Sequence, residues 1–246
     1  MARARRLCRE ADPASRAEGL RTLGQLGMPA ALPTLMAALD DEDAAVRQEA
    51  ISAIGRLDGQ ANEAVPTLIE CLGSDHPPTA HRAAWALGDI GDRRATEPLL
   101  EMLRHAPDRR TRLIALQNLR RLADPQAADE VAGLIAEDDP EIVRGAVQML
   151  ASIDPEDAAR RVGAELRRMA DCGTLTGEPG GAGYDAEGRS QRARSLGRAL
   201  RHAGGPELMD AAAAMVEGVS LREVWVGVDP RQVPLPAPPA GSTPPP

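Results

Sequence analysis

The chain has 246 residues and a net charge of −8, and its lack of Phe, with one Tyr and two Trp, excludes a core of bulky aromatic side chains. Ala, Leu, Val and Ile must fill the core, and these side chains suit close helix packing better than a strand sandwich. The acidic balance argues against nucleic acid and anionic membranes as partners. All 29 basic residues are Arg, which together with the lack of Phe indicates a GC-rich genome, so the abundance of Arg is not by itself evidence for phosphate binding.

The first segment, residues 1–9, is basic but has no apolar region after it, which is unlike a signal peptide. No apolar run approaches the roughly 18 residues that a membrane-spanning helix needs. Three cysteines, Cys8, Cys71 and Cys172, lie far apart and form no C-x-x-C pair. We therefore expect a cytoplasmic protein in a reducing compartment with buried thiols.

An internal repeat then runs through the chain. One apolar column recurs at spacings of 31, 33, 32 and 31 residues: Leu23, Ile54, Leu87, Leu119 and Leu150. Three residues later stands a second column of Leu26, Leu57, Ile90, Leu122 and Ile153, and four residues earlier a column of Gly19, Ala50, Ala83, Ala115 and Ala146. Their spacing is helical, and we name these helices B.

A second helix, A, precedes each helix B. Its column keeps the same period and comprises Leu7, Leu39, Leu72, Leu103, Ile135 and Leu166. Pro33, Pro66 and Pro98 stand in the first turn of this helix, where a missing N–H leaves no hydrogen bond unmade. Each unit is thus helix A, a polar turn and helix B, and stacking of the units makes one continuous core.

The segments "VPTLIECL" (65–72), "VRQEAISAIGRL" (46–57) and "HRAAWALGDIG" (81–91) resemble the HEAT repeat, in its short bacterial form named after phycobilisome lyases. The resemblance covers roughly residues 1–170. It implies an all-α fold, an α-solenoid of about six antiparallel helix pairs. It does not fix a function, because the family includes scaffolds, lyases, glycosylases and hydroxylases.

The resemblance also implies a ladder between repeats, in which an acidic residue of the turn pairs with an Arg early in helix B. Asp41 with Arg47 and Glu10 with Arg16 fit this pattern. The third unit has Thr79-Ala80 at the corresponding place and the fifth has Ile142-Val143. We therefore expect a broken ladder.

The period fails after Leu166 and returns about 18 residues late. We expect a repeat array over 1–170, a flexible Gly-rich insertion over 171–189, and resumed repeat helices with a cap over 190–228. Within the resumed part, we expect one helix over 190–204 and another from Pro206 to Val219. The last segment, 229–246, is a Pro-rich tail whose composition predicts disorder.

One large side chain, Trp85, stands opposite the core columns of its helix B. The other residues at that helical position are Arg21, Ser52, Gln117 and Gln148, all polar. Trp85 is either a ring lying flat over aliphatic neighbours or a contact residue for a partner. The next helix B also carries apolar residues away from its core columns. Our predicted binding site, the Trp85 patch, comprises Trp85, Leu113, Ile114, Arg82, Arg121, Gln117 and Asp89.

Exposed apolar patches with polar rims are typical of interaction sites, and the Arg residues would suit an acidic or carboxylate-bearing partner. We predict no catalytic residues, metal site or cofactor, because the four His residues lack metal-ligand spacing and no nucleotide-binding motif is present. The favoured function is a non-catalytic scaffold or adaptor for a protein or peptide, bound on the concave face that helices B line in the family. Two alternatives stay open. One, which the resemblance implies, is a lyase or accessory subunit that acts on a prosthetic group or a partner enzyme. The other is a nucleic-acid binder or HEAT-like DNA glycosylase, which the acidic charge and the scarcity of aromatic residues disfavour.

Overall fold

The structure, a computed structural model, describes residues 1–172 and 191–214. These residues form helices and turns with no strand. The α-helices are α1 (Ala2–Leu7), α2 (Pro13–Leu26), α3 (Leu32–Ala37), α4 (Ala44–Gly55), α5 (Val65–Leu72), α6 (Pro77–Ile90), α7 (Thr96–His105), α8 (Arg109–Leu122), α9 (Ala128–Gly133), α10 (Pro140–Ile153), α11 (Pro155–Asp171) and α12 (Gln191–Ala214). The predicted all-α solenoid of helix pairs is confirmed.

The chain divides into two compact units. The first, Met1–Asp154, contains α1 to α10, which form five A–B pairs whose B helices are α2, α4, α6, α8 and α10. In the second unit, which begins at Pro155, α11 and α12 pack against each other. No helix of the described residues is both long enough and apolar enough to cross a membrane.

The repeat columns form the core of the first unit. Leu23, Ile54, Leu87 and Leu119 have no exposed surface, and the Ala column from Ala50 to Ala146 is equally buried. One member of the second column departs from the prediction: Leu26 is exposed. It ends α2 directly before Gly27, whose left-handed φ of 58° turns the chain away from the helix.

Aspartates fix the first turn of four B helices. The side chains of Asp12, Asp43, Asp108 and Asp139 each accept a backbone hydrogen bond from the helix that follows. Each carboxylate satisfies an N–H that has no partner inside the helix, and its charge suits the positive end of the helix dipole. These caps set where each helix B begins relative to its turn.

Small residues bring neighbouring B helices close together. A Cβ added to Gly24 of α2 would lie 2.8 Å from the Cα of Ala53 in α4, and one added to Gly55 would lie 3.0 Å from the Cα of Ala86 in α6. Backbones approach this closely only where one partner has no side chain. We call this line of contacts the glycine seam.

Two local features depart from a regular repeat of paired α-helices. Several A helices are partly 3-10 in character, with 3-10 turns at Ala38–Asp40 and Leu134–Ala136 completing α3 and α9. The helix predicted to end at residue 204 instead continues as α12 to Ala214, through Pro206. Pro206 itself donates no N–H, so the helix lacks one hydrogen bond there rather than stopping. The insertion from residue 173, the cap and the tail lie outside the described residues.

Candidate functional site

Trp85 lies on the side of α6 away from the core columns. It is half-buried, whereas its neighbours Ala84 and Ala86 are buried. The residues at the same helical position in the other B helices are half-buried or exposed, as Ser52 and Gln117 illustrate. Trp85 is therefore not a core residue. It is a large aromatic ring in a column of polar surface residues.

The ring of Trp85 is in contact with the next helix B. The guanidinium carbon of Arg121 on α8 lies 5.1 Å from the ring centroid, within cation–π range. Arg121 also forms an ion pair with Asp89, one turn after Trp85 on α6. The side chains of Arg121 and Asp89 are 42% and 39% exposed, so water and salt screen this pair. Three residues of the predicted patch thus form one connected cluster.

Arg82, one turn before Trp85, is exposed and points toward the preceding helix B. Its Nη1 donates a 2.7 Å hydrogen bond to the hydroxyl of Ser52 on α4. The acceptor is neutral, so this bond leaves the charge of Arg82 without the neutralisation that a carboxylate would give. On α8, Gln117 is exposed and Leu113 is half-buried.

Ile114 does not belong to the exposed surface, contrary to the prediction. Only 7% of it is exposed. Exposure at this position differs between B helices, since the equivalent residue Arg82 of α6 is exposed. Glu49, the equivalent residue of α4, is only 13% exposed, and its carboxylate pairs with Arg21 of α2 and Arg56. The Trp85 patch in the structure therefore comprises Trp85, Arg82, Asp89, Leu113, Gln117 and Arg121.

The predicted ladder exists with different partners. Arg16 donates two hydrogen bonds, of 2.8 and 2.9 Å, to the carboxylate of Asp41 in the next turn, and it binds the carbonyl oxygen of Glu10 rather than the Glu10 side chain. Arg47 likewise donates to the Asp41 carbonyl oxygen, at 2.6 Å. The Arg16 hydrogen bonds hold the pKa of Asp41 below its usual value. We call each such Arg–carboxylate pair between repeats a rung.

A second rung joins Arg112 of α8 to Glu137, with hydrogen bonds of 2.9 and 2.6 Å. Nearby, Arg109 donates to the carboxylate of Asp139 at 2.5 and 2.9 Å. This pair directs the guanidinium of Arg109 to the fifth repeat. Alignment of the turns could have indicated the second rung, because Glu137 and Asp41 occupy the same repeat position.

Two polar residues that the sequence did not single out link α6 and α8. His81 Nε2 lies 2.9 Å from the Thr111 hydroxyl, which donates to the Asp108 carboxylate at 2.9 Å. Burial, and then the charge of Arg110, lower the pKa of His81. Asn118 is fully buried, donates to the Ile114 carbonyl oxygen, and has no hydrogen-bond partner for its Oδ1. No local sequence pattern marks such contacts, because they depend on the neighbouring helix.

The cysteines are less buried than predicted: Cys8 and Cys71 are half-buried and Cys172 is exposed. Burial raises the pKa of Cys8 and of Cys71, which disfavours the reactive thiolate. Within the described ranges, no cluster of His, Cys, Asp and Glu has a geometry that could hold a metal ion.

Comparison with protein families gives one match. HEAT repeats match three overlapping segments, residues 4–82, 59–120 and 96–168. Together the segments span more than half of the chain and include every helix from α2 to α10. A comparison with curated protein sequences gives no match.

Solved structures of similar fold are repeat proteins and a designed protein. An engineered protein has 17% identity and a TM-score of 0.53, with 92% of this chain and 96% of that chain covered. The complex of CpcE and CpcF of phycocyanin lyase from Nostoc sp. PCC7120 has 16% identity and a TM-score of 0.53, with 86% and 93% covered. A designed armadillo repeat protein has 16% identity and a TM-score of 0.50, with 87% and 98% covered. At these identities the likeness concerns the fold alone.

Proposed function

This chain belongs to the HEAT-repeat family, and on that premise we propose that it is a non-catalytic scaffold or adaptor. It binds a protein or peptide partner on the concave face of its solenoid, at the Trp85 patch. Repeat solenoids offer extended surfaces of stacked helices, which suit protein partners better than small molecules.

The observation that carries this proposal is the placement of Trp85. A tryptophan at a position that other repeats fill with Ser52 or Gln117 adds no core packing that the fold needs. It offers a large apolar surface with one face held by Arg121. Trp and Arg side chains of this kind contribute a large share of the binding energy in protein interfaces.

The chemistry of the patch favours a carboxylate-bearing partner. Arg82 is bound only to the neutral Ser52 hydroxyl, so a partner carboxylate can pair with it without displacing another carboxylate. The Arg121–Asp89 pair is exposed, so its rearrangement has a small energetic cost. A peptide with an acidic side chain beside an apolar one would therefore contact Arg82 and Trp85 together.

The test is affinity capture from a lysate of the source cells with four variants. We expect Trp85→Ala and Arg82→Gln each to weaken capture of the same partner by about tenfold or more, as hot-spot truncations do. Gln148→Ala and Arg21→Gln are the matched controls, because they alter the same face two repeats away and should retain the partner. Retention of the partner by Trp85→Ala, with an unchanged melting temperature, would exclude this surface.

The alternative is a lyase-type or accessory subunit that acts on a prosthetic group or a partner enzyme. Its support is the fold that this chain shares with the phycocyanin lyase complex. Covalent handling of a prosthetic group would call for a reactive nucleophile, and the raised pKa values of Cys8 and Cys71 disfavour their thiolates. Mass spectrometry of the captured complex distinguishes the two, since a covalent adduct on this chain would support the alternative.

A further inference from the structure

The five repeats of Met1–Asp154 are not joined equally. We call the interface between two consecutive helix pairs a junction. Ion pairs connect the outer junctions: Arg16–Asp41 and Arg21–Glu49 at the first, and Arg104–Glu130, Arg109–Asp139 and Arg112–Glu137 at the fourth. The Arg16–Asp41 rung is also well covered, with side chains 11% and 12% exposed. Bidentate pairs of this kind fix the relative position of two elements as well as stabilise them.

The rung is interrupted at both central junctions. At the second junction Arg47 is in place, but the residue equivalent to Asp41 is Ser74. At the third junction both partners are missing, because Ala80 replaces the Arg and Ala106 replaces the acid. The polar links that remain across the third junction are the neutral His81–Thr111 contact at the start of α6, a hydrogen bond from Arg94 to the Asn62 carbonyl oxygen, and the Arg121–Asp89 ion pair. The side chains of that ion pair are 42% and 39% exposed, so water and salt screen it, unlike the covered Arg16–Asp41 rung.

The glycine seam also changes at the third junction. Gly24 and Gly55 each face an Ala, but Gly88 of α6 faces Asn118 of α8. A Cβ added to Gly88 would lie 2.2 Å from Asn118 Oδ1, so this oxygen is directed against the backbone of α6. Its contact there is with a C–H group, a weak donor. A buried oxygen without a full hydrogen bond destabilises the closed junction relative to one that admits water.

We propose that the third junction, between α5–α6 and α7–α8, is the weakest in the array, so that the chain opens there into two cooperative blocks. In a linear repeat array each interface adds its own stability, and an array separates first where that contribution is smallest. The blocks are α1–α6 and α7–α10.

Opening at this junction would divide the Trp85 patch. Trp85, Asp89 and Arg82 stand on α6, whereas Arg121, Gln117 and Leu113 stand on α8. A partner that contacts both helices therefore binds only the closed junction and shifts the population toward it. This regulation rests on the proposed function, whereas the opening itself is a property of the free chain.

The experiment is native-state hydrogen exchange of the full chain over a series of urea concentrations. We expect amides of α8 and α10 to exchange at rates that differ from those of α2 and α4 by about tenfold or more. In a Trp225→Phe background, the fluorescence of Trp85 should change at the first of the two openings. If the amides of α2, α4, α8 and α10 exchange at the same rates in the unaltered chain at every urea concentration, the inference is overturned.

Three variants test the cause. Ala80→Arg with Ala106→Asp installs the missing rung, and Asn118→Ala restores the Gly–Ala contact of the first two junctions. Each should reduce the difference between the blocks by about threefold or more. Ser74→Asp is the matched control, because it completes a rung at the second junction and should leave the difference between blocks in place. If neither third-junction variant reduces the difference, or if Ser74→Asp reduces it equally, the assignment to this junction is wrong.

Hydrogen exchange is measured on the free chain, so its outcome does not depend on the affinity capture of a partner. A single cooperative unit overturns the inference and leaves the proposed function standing. Two blocks in a chain whose Trp85→Ala variant still captures its partner support the inference and overturn the proposed site.

Discussion

At the scale of single residues, Trp85 lies at the surface of its helix and not in the core. Its ring lies against Arg121 and outside the buried columns, so its removal leaves no internal cavity. We expect Trp85→Ala to lower the free energy of unfolding by less than about 1.5 kcal/mol, against ~3–5 kcal/mol for a core Trp. Ile54→Ser, which places a hydroxyl in a fully buried column, should unfold the array.

Thermal melting of the two variants beside the unaltered chain is the measurement. Ile114→Ser is a further comparison: since Ile114 is buried, we expect a lower melting temperature and not a selective loss of partner binding. Should Trp85→Ala melt as early as Ile54→Ser, Trp85 contributes to the core and the proposed site is wrong.

The position of Gly88 requires a residue without a side chain, because Asn118 of the next helix B lies against it. Gly88→Ala would place a methyl group against Asn118 Oδ1, and we expect a loss of about 1–3 kcal/mol in urea unfolding. Adding Asn118→Ala should recover most of it, because the nearest remaining contact would be the Cβ at 3.1 Å. Gly133→Ala in α9 is the control, since its Cβ would meet nothing within 4 Å and Ala favours a helix. Equal losses at both glycines would contradict the steric reason.

At the scale of elements, the repeat pattern predicted the paired helices of the array but not all of the side-chain contacts between neighbouring helices. Helical spacing identified the core columns and placed Trp85 outside them, because both follow from one helix taken alone. The burial of Ile114 and the partners of Arg16 and Arg109 depend on the neighbouring repeat. A helical wheel shows the direction of a side chain and not what the adjacent helix places over it.

The interrupted ladder allows a stabilising change. Arg47 binds its own turn as Arg16 does, and the Ser74 hydroxyl accepts from the His76 N–H as Asp41 accepts from Asp43. Ser74→Asp should therefore complete a rung with Arg47 and stabilise the chain by about 1 kcal/mol. Urea unfolding measures the gain. Ser74→Asn should give little of it, and in an Arg47→Gln background the gain should disappear; a gain that survives there would have another origin.

At the scale of the whole molecule, the fold follows from repetition. A column that recurs five times places one core along Met1–Asp154. Function does not repeat in this way. Trp85 and Asn118 each occur once and differ from the residues at the same position in other repeats, so only the folded neighbours show what they contact.

The pH dependence of stability should also be a property of the whole array. The pKa of His81 is lowered by burial and by Arg110, so the folded chain binds a proton there less readily than the unfolded chain. Stability from this group is present above the unfolded value of about 6.5 and declines as the pH falls below it. The pKa of Asp41 is lowered by Arg16 and that of Asp139 by Arg109, so their contribution is present above about 3.8 and is lost in more acidic solution.

We therefore expect the free energy of unfolding to decline in two separate steps when urea unfolding is followed from pH 8 to pH 3. This range of about five pH units includes the titration of His81 and that of the aspartates. His81→Gln should remove the decline below neutral pH and leave the acidic one, while Asp41→Asn should reduce the acidic one alone. The first decline originates at the junction between α6 and α8, where His81 meets Thr111, and the second at the outer junctions that the ion pairs hold. Acid should thus weaken the third junction before the first and the fourth. A single decline in the free energy of unfolding near pH 4, unchanged by His81→Gln, would show that the third junction does not respond to protonation.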